Sequence, residues 1–228
     1  MSERIRCQLV VSPRVRWVSH LEFLRTVTRA VRRARLPVRH SEGYNPHLLL
    51  SFAAARPVGL SSEAEFVDLM TDGSACSDEV RDGMNAAFPA GFSVRNARAV
   101  RPQGPSLTSA INASRYSYHP EEKGLWREAL REFCSLREVP VLRKRHGKAD
   151  RLVDIRPHVY DVSLACDCGE VEIVADMALG GQNNVRPQEF FSAVASLAGV
   201  QGENLPVRMH RLDMYRREDG NRIEPWDL

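Results

Sequence analysis

Residues 4–11 alternate apolar and polar side chains and stop at Ser12-Pro13, a pattern that predicts a first strand. Ser19-His20-Leu21-Glu22 then fits a capping box, with Ser19 as N-cap and Glu22 three positions on. A helix is expected from there to about Leu36, halted by Pro37. Leu24, Val27, Val31 and Ala34 recur at helical spacing as its buried stripe, and Arg25, Arg29, Arg32 and Arg33 line another face. His47–Ala53 and Ala64–Met70 read as strands, Ser77–Phe88 as a helix ending before Pro89-Ala90-Gly91, and Phe92–Val100 as a strand. The order β-α-β-β-α-β within residues 1–100 is that of the ferredoxin-like split unit.

The stretch 101–109, RPQGPSLTS, is rich in Pro, Gly and Ser and predicts a linker. Residues 110–216 repeat the grammar with one strand more. The expected elements are a strand at Ala113–Tyr118, a helix at Glu121–Ser135 with Leu125, Ala129 and Phe133 inward, and a strand at Val139–Lys144. A hairpin of Val159–Ala165 and Val171–Met177, a helix at Pro187–Leu197 and a strand at Val207–Tyr215 follow, and residues 217–228 read as a mobile tail. The expected fold is therefore α+β, two tandem ferredoxin-like lobes of βαββαβ type with antiparallel sheets.

Charge changes this picture because it is unevenly placed. Residues 1–60 hold eleven Arg against three acids, a net of +8, while the other 168 residues carry 21 basic and 26 acidic groups, a net of −5. One end thus builds a basic face suited to a polyanion, RNA, DNA or an acidic protein surface. Arg outnumbers Lys 29 to 3, but throughout the chain, as codon composition alone would produce, so only the clustering informs. No run approaches the roughly 18 apolar residues of a membrane span, and the first twenty residues do not read as a signal peptide; a cytoplasmic, non-membrane protein is expected. The five cysteines form no CxxC pair; Cys166 and Cys168 would need further ligands to hold a metal, and reduced thiols without metal or cofactor are expected.

Candidate chemistry falls in five places. Arg25, Arg29 and Arg32, at i, i+4 and i+7, put guanidinium groups one helical turn apart, about 5.4 Å, near the phosphate spacing of a nucleic-acid strand. A second basic run, Arg143, Lys144 and Arg145 with Lys148 and Arg151, surrounds Gly147 in an expected hairpin or loop. Gly43-Tyr44-Asn45-Pro46-His47 combines a permissive glycine with groups that stack on an unpaired base (Tyr44) or hydrogen-bond to it (Asn45, His47). His20, with Ser19 and Arg156, is a candidate pocket, and His20 with His47 offers an acid–base pair for RNA cleavage. Finally, Gly180 to Pro187 is a Gly-rich loop opening a helix, where Arg186 can assist anion binding, although neither GxxxxGK[ST] nor GxGxxG is present. HExxH, GxSxG and CxxxCxxC are also missing, so no catalytic residue is assigned.

Together, RWVSHLEFLRTVTRAVRRARLPV, SEGYNPHLLLSFAAARPVGL and SSEAEFVDL, with LVDIRP and NNVRP further on, resemble the radical SAM-linked, or radical SAM-associated, family of bacterial proteins, a domain of unknown function. The resemblance spans about residues 4–215 and departs at Arg35, where Gly is expected. It implies a protein working beside a radical SAM enzyme that itself carries the cluster cysteines. The expected function is a non-enzymatic RNA-binding accessory presenting a tRNA or rRNA to an RNA-modifying radical SAM protein. The alternatives are a module docking an acidic protein partner, and an RNA-cleaving or RNA-modifying enzyme using His20 and His47.

Overall fold

The computed structural model describes residues 3–122, 124–144, 147, 149–167, 170–200 and 206–228. In chain order the elements are β1 (Glu3–Val11), α1 (His20–Arg33), β2 (Leu50–Phe52), β3 (Leu60–Thr71), α2 (Ser77–Ala87), β4 (Phe92–Val100) and α3 (Leu107–Ala110). They continue with β5 (Ala113–Pro120), α4 (Trp126–Ser135), β6 (Pro140–Arg143), β7 (Arg151–Asp154), β8 (Val159–Asp167), β9 (Glu170–Ala178), α5 (Pro187–Leu197), β10 (Val207–Glu218) and β11 (Asn221–Ile223). The fold is α+β, mostly antiparallel sheet with few helices, and no helix among the described residues is long and apolar enough to cross a membrane. The chain divides into two units, Met1–Asn112 with Arg211–Leu228, and Ala113–His210.

In the first unit β1 lies between β3 and β4, antiparallel to both, and β2 pairs antiparallel with the Val67–Leu69 stretch of β3. The expected β-α-β-β-α-β order is present. Alternation along β1 sends Ile5, Cys7, Leu9 and Val11 to one face, where they meet Val67 and Leu69 of β3, Phe23, Val27 and Val31 of α1, and Val80 and Met84 of α2. The buried stripe of α1 is thus Phe23, Val27, Ala30 and Val31; Leu24 and Ala34, expected inside, are only partly covered.

The other face of this sheet is charged and yet covered. Arg6, fully buried, donates to both oxygens of Asp68 at 2.7 and 3.0 Å and to the carbonyl of Pro225. Arg4 donates to the carbonyls of Pro102, Gly104 and Pro105. These bonds correct two expectations. The 101–109 segment belongs to the first unit, and residues 217–228 pack in that unit, with Trp226 edge-on to Phe66 at 5.3 Å. Asp219 and Gly220, both at positive φ, make the two-residue turn between β10 and β11.

In the second unit β9 lies between β5 and β8, antiparallel to both. Tyr118, Trp126, Phe133, Phe190 and Phe191 pack as one aromatic cluster joining β5, α4 and α5, with Tyr118 and Phe191 stacked at 5.8 Å. The expected helix from Glu121 begins only at Trp126, and Leu125, expected inward, is 66% exposed because Trp126 takes the buried position. β6 and β7 form a separate hairpin, pairing Leu142 with Leu152.

Candidate nucleic-acid interface

α1 is held at both ends by local chemistry. Ser19 accepts from the Glu22 N–H at 3.2 Å, so the Ser19 hydroxyl is a helix cap. At the other end, Arg35 N–H donates to Arg32 C=O at 3.1 Å and Leu36 N–H to Val31 C=O at 3.3 Å, a Schellman motif with Arg35 at φ +52°. With Phe23, Val27, Ala30 and Val31 fixed inward, Arg25, Arg29, Arg32 and Arg33 are all exposed. Arg25 pairs with Glu22, one turn earlier. The side chains of Arg29, Arg32 and Arg33 make no hydrogen bond or ion pair among the described residues.

Beyond α1, backbone bonds between Arg39 and Leu49 and between Ser41 and His47 close residues 42–46 into an exposed loop. Gly43 takes φ +119° at its start, and Tyr44 is 100% exposed, with Asn45 exposed beside it. His47 closes the loop: the Ser41 hydroxyl accepts from the His47 N–H at 3.1 Å and bonds Nδ1 at 2.8 Å.

His20 lies elsewhere. Its Nδ1 accepts from the Arg56 N–H at 3.3 Å, and its ring packs edge-on to Phe52 at 6.4 Å. The two imidazoles thus have different partners, Arg56 and Phe52 for His20 and Ser41 for His47. Around His20 stand Arg56, Glu65 and Arg211, which the sequence reading did not single out. Burial lowers the His20 pKa from 6.5; Glu65 pulls it up, and Arg56 and Arg211 push it down. Arg56, 2% exposed, donates to the carbonyls of Arg16, Pro57, Leu60 and Val18, tying the turn before α1 to the one before β3. Nothing in FAAARPVGL marks Arg56 as buried. Trp17, 66% exposed with the Arg16 guanidinium 5.0 Å from its ring centre, also went unnoticed, although an aromatic between Arg16 and a helix cap was a readable signal.

The remaining candidates lie in the second unit. Arg143 donates to both oxygens of Glu189 and to the carbonyl of Asn184, pinning the β6–β7 hairpin to the start of α5, so its charge is neutralised there. Arg186 is 59% exposed, 3.6 Å from the same Glu189, and Lys144 is exposed. Arg156 donates to the carbonyls of Val159 and Cys134 and lies over the Phe133 ring, which makes it a packing residue of this unit. Arg145, Lys148 and Cys168 lie outside the described residues.

The fold and this exposed arginine row define an α+β protein with a basic helical face. The chain belongs to a family described as an uncharacterized protein conserved in bacteria (DUF2344), whose model matches residues 4–187. No curated protein matches it. Among solved structures it is similar to a chain in the crystal structure of a Cbf5-Nop10-Gar1 complex, at 10% identity and a TM-score of 0.48, over 94% of this chain and 48% of that one. The protein thus spans about half the length of that relative. It is also similar to an unknown protein from Galdieria sulphuraria, at 9% identity and a TM-score of 0.27, over 92% of this chain and 99% of that one.

Proposed function

We propose that the protein binds RNA through the outer face of α1 and acts as a non-enzymatic accessory to an RNA-modifying radical SAM enzyme. The observation that carries the RNA reading is the row of Arg29, Arg32 and Arg33, exposed and without partners among the described residues, on a helix whose opposite stripe is buried. Guanidinium groups so placed meet successive phosphates and release counterions, which makes affinity fall with salt. Tyr44, Asn45 and His47 supply the more selective contacts. The radical SAM partner rests on the sequence resemblance, and the β4-β1-β3-β2 strand order supports reading the first unit as a ferredoxin-like lobe.

The test is binding of total cellular RNA over a salt series by wild type and by Arg29→Glu with Arg33→Glu. The expected result is affinity that falls steeply with salt in wild type and is lost in the double variant. Equal affinity of the two proteins at low salt refutes the assignment.

A second reading, docking of an acidic protein, is favoured by one observation. Trp17, Leu21 and Val58 are 66%, 56% and 47% exposed, with Arg14 and Arg16 nearby, an apolar and basic combination common at interface hot spots. Copurification of one acidic protein that survives nuclease treatment and is lost in Trp17→Ala would select it.

A further inference from the structure

The sheet of the first unit carries a cavity of about 300 Å³ on the face turned away from α1 and α2. Its position follows from the pleat: Ile5, Cys7, Val67 and Leu69 point to the helices, so Arg4, Ser51, Asp68 and Met70 point the other way. Leu48, Leu49, Leu50 and Met70 contribute apolar wall, and Arg4, His47, Ser51, Asp68 and Ser106 contribute polar groups. The volume is at the lower end of the range for small-molecule pockets, roughly 300–1,000 Å³.

The polar groups define what fits. Asp68 is held by Arg6 through both oxygens and faces Arg4 at 3.6 Å, and Arg4 donates to three backbone carbonyls, so both charged groups of the wall already have protein partners. Each carboxylate oxygen accepts more than one bond, and only one hydrogen bond reaches Oδ1, which leaves Asp68 able to accept another. His47 is oriented by Ser41. That hydroxyl accepts the His47 N–H and bonds Nδ1, which turns Nε2 away from Ser41 and leaves it to bond a ligand. The Ser51 hydroxyl makes no hydrogen bond among the described residues and can donate or accept. A flat, neutral ligand with donors and acceptors on its edge and apolar faces satisfies this set, which is the chemistry of a nucleobase.

We propose that this cavity takes one unpaired base of a bound RNA. The proposal rests on the RNA-binding reading above and states what that reading selects. The exposed 42–46 loop adjoins the cavity at His47, so Tyr44 stands ready to stack on the neighbouring base while Asn45 reaches its edge. Phosphate contacts then come from α1, and base discrimination from the cavity.

The experiment measures fluorescence anisotropy of labelled single-stranded RNA octamers, each rich in one base, against an abasic ribose-phosphate octamer at fixed low salt. At least one base-containing octamer is expected to bind about tenfold tighter than the abasic chain, the size of one base contact. Ser51→Leu, which fills the cavity, and His47→Gln, a substitution at an exposed position, should each bring that preference to within about twofold. Equal binding of all octamers and the abasic chain overturns the base pocket and leaves the RNA reading standing. Retention of the preference in both variants overturns it too, assigning the discrimination to Tyr44 alone. Failure of every octamer to bind overturns the RNA reading itself.

Discussion

Replacing Arg35 by glycine should make the protein more stable. Arg35 is the residue after the α1 C-cap and sits at φ +52°, where an L side chain presses its Cβ against the carbonyl oxygen at a cost of about 1–2 kcal/mol. The motif that forces this geometry is well made, with bonds of 3.1 Å from Arg35 to Arg32 and 3.3 Å from Leu36 to Val31. Glycine relieves the strain but brings more freedom to the unfolded chain, which returns about 0.5–1 kcal/mol. The exposed Arg35 side chain has no hydrogen bond or ion pair among the described residues, so its deletion subtracts nothing else. A net gain of about 0.5–1 kcal/mol follows, or about 1–4 °C in Tm for a chain of this size. Urea unfolding should show a higher midpoint with an unchanged slope, and Arg35→Ala, which keeps the Cβ, should stay near wild type. A lower midpoint for Arg35→Gly would refute the argument. The positive φ is the physical reason for expecting glycine at this position.

Three further outcomes follow from buried or strained positions. Asp68→Ala leaves Arg6, fully buried, without its carboxylate and should cost about 3–5 kcal/mol in urea unfolding; a loss under about 1 kcal/mol would show that the Pro225 carbonyl suffices. Gly91 has φ +99°, and a Cβ there would lie 2.8 Å from Val15 Cγ1, so Gly91→Ala should lose about 2 kcal/mol or more, and an unchanged Tm would contradict the tight turn. His20 has its pKa lowered from 6.5 by burial, with Arg56 and Arg211 reinforcing and Glu65 opposing, so below pH 6.5 the unfolded chain takes up a proton that the folded chain resists. Its contribution is present above pH 6.5 and lost as pH falls, and His20→Gln should be relatively more stable at pH 5 than at pH 7; a wild type-to-variant difference independent of pH would refute this.

The elements legible in advance were those whose pattern one face decides. β4 at Phe92–Val100 and α5 at Pro187–Leu197 have the expected limits, and the β1 and α2 limits shift by one residue. β2 was less legible because it lies against β3 only from Val67 to Leu69, so the apolar run His47–Ala53 yields three strand residues. β7 escaped because Leu142 and Leu152, paired across the hairpin, are 57% and 66% exposed, and exposed leucines break the alternation that signals a buried strand. The C-terminal hairpin carried a direct signal, Asp219-Gly220, that an expectation of a tail passed over. Within the site, the exposed row on α1 was legible because helical period separates it from Val27 and Val31. The buried arginines were not, since Arg6 finds Asp68 62 residues away and Pro225 219 residues away, and no local pattern encodes such partners.

The net charge of +8 in residues 1–60 therefore overstates the free positive charge, and the structure shows where it goes. Arg4, Arg6 and Arg56 spend their guanidinium groups on backbone carbonyls and a carboxylate, Arg16 bonds the Pro13 carbonyl over Trp17, and Arg25 pairs with Glu22. What remains exposed and without partners among the described residues is Arg14, Arg29, Arg32, Arg33, Arg35 and Arg39, on α1 and the segments flanking it. Arg25, Arg29 and Arg33 follow one another at i, i+4, well inside the screening length of about 8 Å, so their mutual repulsion costs the helix a few tenths of a kcal/mol per pair, up to about 0.5. A purely structural helix gains nothing from such a row, whereas a phosphate backbone converts the repulsion into binding. Glutamate at 29 and 33 makes the 25–29 pair attractive and leaves a like-charged pair, now acidic, at 29 and 33, without touching the buried stripe. The double variant should thus unfold within about 0.5 kcal/mol of wild type, and lost RNA binding in it would report the interface rather than the fold.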